Sequence, residues 1–70
     1  MKTYFTFGQG HAHAVNGKTF DKDCVVEIEA PTSEDARMIM FETFGEKWGL
    51  QYQSLEHVHM EYYPRGLMTI

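Results

Sequence analysis

Seventy residues, with ten acids against six bases and a formal net charge of −4, make a single domain and argue against a general nucleic-acid binder, which needs a basic patch. A chain this short buries only about 60% of the surface its unfolded form exposes, so its core is packed efficiently or is helped by a partner, a second copy or a metal. The single cysteine, Cys24, excludes an intrachain disulfide; with no apolar run of signal-peptide or membrane-span length, the chain reads as a protein of the reducing cytosol.

The first predicted strand is Thr3 to Phe7, rich in aromatics. Gly8-Gln9-Gly10 follows, and two glycines around one polar residue predict a bulge, a bend or the close approach of another group. Asn16-Gly17 is the strongest short-range signal for a two-residue hairpin turn. Folding the chain back there pairs Val15 with Lys18, His13 with Phe20, His11 with Lys22, Phe7 with Val26, and Phe5 with Ile28. A single extra residue at Gly8-Gln9-Gly10 would slip this register beyond Phe7 and move both histidines to the other side. Lys18-Thr19-Phe20 is a short extended piece, and Asp21-Lys22-Asp23 is either a second turn or continuous strand. Cys24 to Ala30 is the clearest strand: Val25, Glu27 and Glu29 alternate with Cys24, Val26, Ile28 and Ala30. One face of the hairpin then carries Phe5, Phe7, Val26 and Ile28, and the exposed side of the second strand carries two acids.

Pro31-Thr32-Ser33 ends that strand and opens a helix from Ser33 to about Phe44. Thr32 is its cap, with Asp35 as an imperfect capping-box partner, and Glu34 and Asp35 suit the positive helix start. Ala36, Met40 and Phe44 recur at helical spacing, with Ile39 beside them and Thr43 on the border, so this stripe covers the apolar side of the sheet. Met38 and Phe41 fall off the stripe; they either cover the sheet edge or stand exposed as interface candidates. Gly45 is the stop signal. Trp48 reads as a lid on the core, with a binding-surface anchor as the alternative. Leu50 and Tyr52 alternate with Gln51 and Gln53, as in a short strand. Within Ser54 to Tyr63 the pattern fits both a strand and a short helix capped by Ser54, and helix or irregular turn is the preferred reading. Pro64-Arg65-Gly66 is a turn, and Leu67 to Ile70 is a closing strand tied into the sheet.

Three stretches carry a resemblance: YFTFGQGHAHAVNGKTFDKDCVVEIEA, FGEKW at 44–48 and YYPRGL at 62–67. Together they resemble small proteins of phage and prophage genomes with a YFTFGQGHxH…NGxxFDKD pattern. That resemblance implies no catalytic residue. It implies a setting: accessory factors made in an infected bacterial cell, many of which bind and inhibit a host or defence component or sequester a nucleotide signal.

Several groups of residues are candidates for chemistry. The histidines come as His11-Ala12-His13 and His57-Val58-His59, and residues two apart on a strand point the same way. His11, His13, Cys24, His57 and His59, with Asp21 or Asp23 nearby, form a candidate set for zinc; on a helix His57 and His59 would diverge. Gly8, Gly10, His11, His13 and Arg65 form a candidate phosphate or nucleotide site, although no Walker or dinucleotide fingerprint is present. Acid–base catalysis by paired histidines needs a larger cleft than seventy residues give without a dimer. Cys24 reads as a buried, inert thiol rather than a nucleophile. Asp21, Asp23, Glu27 and Glu29 are either a mimic of DNA phosphates or an ordinary solvated face.

These readings converge on an α+β domain: an antiparallel sheet built on the N-terminal hairpin, one helix packed on one face, and short C-terminal strands. The preferred function is a small cytosolic accessory protein acting by contact with a host or phage protein, inhibitory in a phage setting. It needs no cofactor or membrane, and a homodimer is compatible with it. The expected surface is Glu27, Glu29, Phe41 and Trp48. A metal or small-ligand site around His11 and His13 is the rival, and catalysis ranks below both.

Overall fold

The structure, a computed structural model, describes residues 1–10 and 12–70; His11 lies outside the described residues. The chain forms β1 (Lys2–Thr6), β2 (His13–Val15), β3 (Lys18–Phe20), β4 (Cys24–Glu29), α1 (Ser33–Phe44), β5 (Gln51–Tyr52) and β6 (Gly66–Met68). Two 3-10 turns, Leu55–His57 and Met60–Tyr62, lie between β5 and β6. The four-stranded sheet has the order β5-β1-β4-β6, and β2 and β3 form a separate two-stranded ribbon. No helix among the described residues is long and apolar enough to cross a membrane.

The ribbon turns at Asn16-Gly17. Both residues have positive φ, 52° and 76°, as a primed hairpin turn requires. His13 faces Phe20 and Val15 faces Lys18, the register the turn dictates. In the main sheet Phe5 faces Val26 and Thr3 faces Ile28, so this ladder is two positions away from the one extrapolated from the hairpin. More chain separates β1 from β2 than separates β3 from β4, so the ladder does not run continuously from ribbon to sheet. A shift of two preserves the side on which each residue stands. Phe5, Phe7, Val26 and Ile28 therefore still share one buried face, as expected.

α1 has the expected bounds. Thr32 Oγ1 accepts the Asp35 N–H at 3.1 Å, and the Gly45 N–H donates to the Phe41 carbonyl at 2.9 Å. Ala36, Met40 and Phe44 pack on Phe5, Phe7, Val26 and Ile28, joined by Phe20 from the ribbon and by Cys24 and Ala30.

The sheet is mixed rather than wholly antiparallel, because β6 runs parallel to β4. The connection from β5 must cross to the far edge of the sheet, and a strand arriving after such a crossing is free to run parallel. Thr6 and Val25 face each other on the side away from α1, and both are buried. Val58 is the buried residue of the crossing connection. The segment from Ser54 is helical in short pieces, and Ser54 Oγ accepts the Glu56 N–H at 3.2 Å as a cap. Beside β5, the Gly49 N–H donates to Thr6 O at 2.6 Å, and a Cβ at position 49 would stand 3.1 Å from that oxygen, so a larger residue would need the Thr6 backbone to give by a few tenths of an ångström.

Thr3 sits wholly buried on the core side of β1, and its hydroxyl has no hydrogen-bond partner among the described residues. A buried unpaired hydroxyl is destabilising, while valine keeps the branched shape without it. Thr3→Val is therefore expected to raise stability by about 1 kcal/mol. In a domain of this size that moves Tm up by about 4 °C or more, read by thermal unfolding followed by circular dichroism. A lowered Tm would show that the hydroxyl is satisfied in solution.

Candidate functional site

With Ala36, Met40 and Phe44 turned into the core, helical geometry turns Glu34, Met38 and Phe41 outward. Met38 is 58% and Phe41 43% exposed, so these two off-stripe residues stand in solvent and do not cover a sheet edge. Together with Glu34, Asp35 and Arg37 they line an open groove of about 350 Å³. Trp48 borders it. Its ring lies 5.3 Å from Phe41 and, edge-on, 5.1 Å from Phe5, while its Nε1–H donates to Gly45 O at 3.1 Å. The tryptophan is thus the lid on the core and also the link from the core to Phe41.

The surface expected from sequence is split. Glu27 and Glu29 alternate with Val26 and Ile28, so they project from the sheet face opposite the one α1 covers. Glu27 is 3.4 Å from the Lys2 ammonium, and that bond holds Lys2 above its ordinary pKa. Phe41 and Trp48 belong to the helix side, so the four residues do not form one patch. The residues sequence reasoning left out of the groove are Glu34, Asp35 and Arg37. Their signal was positional: they flank Met38 and Phe41 on the same helix.

The proposed phosphate or nucleotide site also disperses. His13 is turned inward: its ring lies 5.7 Å from Phe7 and 5.2 Å from Phe44, and its Nε2 is 3.0 Å from Lys47 O. Arg65 is a strut, donating through Nη1 to Thr19 O at 2.8 Å with Asp21 Oδ2 3.2 Å away, and through its backbone N–H to Asp23 O at 2.9 Å. Gly10 is exposed in the same loop as Gly8. Gly8 and Gln9 line a second open cleft of about 330 Å³ with Lys22, Asp23, Tyr62 and Tyr63. Of the described members of that set, only Gly8 reaches this cleft.

Among the described residues no three His, Cys, Asp or Glu side chains come together as a metal-holding group. His57 and His59 are exposed, and His59 Nδ1 lies 3.6 Å from Glu61 Oε1. Cys24 lies within the core; its thiol donates to Asp21 O at 3.5 Å, and burial pushes it above its ordinary pKa. The acids are engaged as well. Asp23 lies 2.9 Å from Lys22 Nζ, and Asp21 Oδ1 accepts the Asp23 N–H at 3.0 Å. That hydrogen bond, followed by the Arg65 guanidinium, holds the Asp21 carboxyl below its ordinary value.

Two predictions follow from this geometry. The Cys24 thiol of the folded protein is expected to resist a thiol reagent and to react once the chain is denatured; rapid labelling of the native state would contradict its burial. For Asp21, a folded-state pKa below the unfolded one means stabilisation that is present above the ordinary value of 3.8 and lost as pH falls through the folded value. Asp21→Asn keeps the acceptor for the Asp23 N–H but removes the charge facing Arg65. It is expected to lower Tm slightly at neutral pH, with the gap closing below pH 3.8; a gap independent of pH would remove the ion pair from the account. Comparisons with protein-family models, with curated proteins and with solved structures found no match.

Proposed function

We propose that this protein is a small cytosolic accessory factor that acts by contact, binding a protein partner through the outer face of α1. The observation that carries this reading is the pair Met38 and Phe41, exposed side by side along a groove on a helix whose other face is fully used by the core. Large apolar side chains grouped on the surface of a small domain mark an interaction site far more often than single exposed ones do. Trp48 extends the patch, and aromatic anchors dominate the energy of many interfaces. The resemblance of the chain to small phage and prophage proteins supports a host or phage protein as the partner, with inhibition as the outcome. Glu27 and Glu29, on the far side of the sheet, are not part of this surface.

The test compares the parent chain with Met38→Ser/Phe41→Ser. Both positions face solvent, so the double variant is expected to keep the parent's circular dichroism spectrum. Bound to beads and exposed to bacterial lysate, the parent is expected to retain a partner that the variant loses. Titration of that purified partner should show affinity reduced by about tenfold or more. Equal retention by both chains would sink the reading.

A further inference from the structure

The groove has a chemical character that narrows what can occupy it. Its apolar floor is Met38 and Phe41, and its rim carries Glu34, Asp35 and Arg37. Glu42 is exposed one position beyond Phe41, and the last turn of the helix holds no basic residue. Three acids against one arginine therefore surround the floor, on a chain whose net charge is already −4. None of these four side chains is in an ion pair among the described residues, so their charge is available to a partner. The floor follows helix geometry: Met38 and Phe41 are three apart on one face, and the Trp48 ring lies 5.3 Å from Phe41. Such a ridge-and-groove surface matches the ridges of a second helix.

From this, and resting on the contact reading above, we infer that the α1 face takes a basic amphipathic helix. Its apolar residues seat on Met38 and Phe41, and its lysines or arginines meet Glu34, Asp35 and Glu42. This is the helix-in-groove mode, read by anchors at helical spacing. Opposite potentials across the contact speed the encounter and reject acidic competitors. A second copy of the chain is the poorer occupant, because a two-fold contact would bring two faces of the same negative excess together.

The experiment is a titration of the isotope-labelled full chain, followed by amide chemical shifts. The probes are a synthetic amphipathic helix of leucine and lysine, a leucine–glutamate peptide of the same pattern, and a scrambled leucine–lysine peptide. The expected result is binding of the first peptide, with shifts centred on residues 34–42 and at Trp48, and little response to the other two. Met38→Ser/Phe41→Ser and, separately, Glu34→Lys/Asp35→Lys should each weaken that binding by about tenfold or more. The charge-reversal pair leaves the apolar floor intact and serves if the first variant fails to fold.

Four results would overturn the inference. Equal affinity for the leucine–glutamate peptide, still lost in Met38→Ser/Phe41→Ser, would reject a basic occupant while leaving the contact reading standing. Binding of the lysine peptide that both variants retain, or no binding at all, would reject the groove as a receptor for such a helix; partner capture then decides the contact reading by itself. Concentration-dependent dimerisation that Met38→Ser/Phe41→Ser abolishes would assign the face to a second copy.

Discussion

Phe44 joins the parts of this fold that would not hold together alone. It is the last residue of α1, and its ring lies 5.0 Å from Phe7, 5.3 Å from Phe20 and 5.2 Å from His13. Those partners come from the extension of β1 and from both strands of the ribbon. A two-stranded ribbon is marginal in water without a surface to pack on. Phe20, wholly buried, gives it that surface through Phe44 and Phe7. The helix must therefore stop where Phe44 still faces the core, and the Gly45 N–H bond to Phe41 O sets that point.

The same arrangement explains why one face is left open. A small domain has two layers at most, so a helix with one face on the sheet has nothing to cover the other. The sheet meets its own second face differently. Thr6 and Val25 are buried there, the connection carrying Val58 crosses between the edges, and Glu27 meets Lys2 near the margin. Among the described residues no segment returns across α1. Met38 and Phe41 are larger and more apolar than a solvated helix face requires, and they stand together instead of being scattered.

What was legible in the sequence was local. The Asn16-Gly17 turn, the Thr32 cap, the Gly45 stop and the Ala36–Met40–Phe44 stripe each depend on residues within a few positions, and each appears where the pattern puts it. The register between β1 and β4 depends on how much chain separates β1 from β2, which no local signal fixes. The parallel pairing of β6 and the struts from Arg65 to Thr19 and from Lys18 to Thr69 join distant parts of the chain. The site was legible to the same degree. Phe41 and Met38 stood out as off-stripe residues, but alternation along β4 tells only that Glu27 and Glu29 oppose Val26 and Ile28. It does not tell on which side the outer face of a helix will come to lie. Hence acids from one surface were grouped with aromatics from another.

Trp48 gives the open face a consequence for the whole domain. It stands between Phe5, wholly buried on the central strand β1, and Phe41, half out in solvent. Its indole N–H is tied to Gly45 O, so the turn that ends the helix also fixes the ring between them. The groove floor is therefore continuous with the core. A partner that binds only the folded chain stabilises it through linkage, by about 2.7 kcal/mol at one hundred times its Kd. Against a total of about 5–15 kcal/mol for ordinary domains, that is a large share for a chain with no disulfide to constrain it. On the proposed reading, a partner seated on Met38 and Phe41 would remove from water apolar surface that the free protein leaves exposed, and the Trp48 indole connects that surface to Phe5 on β1.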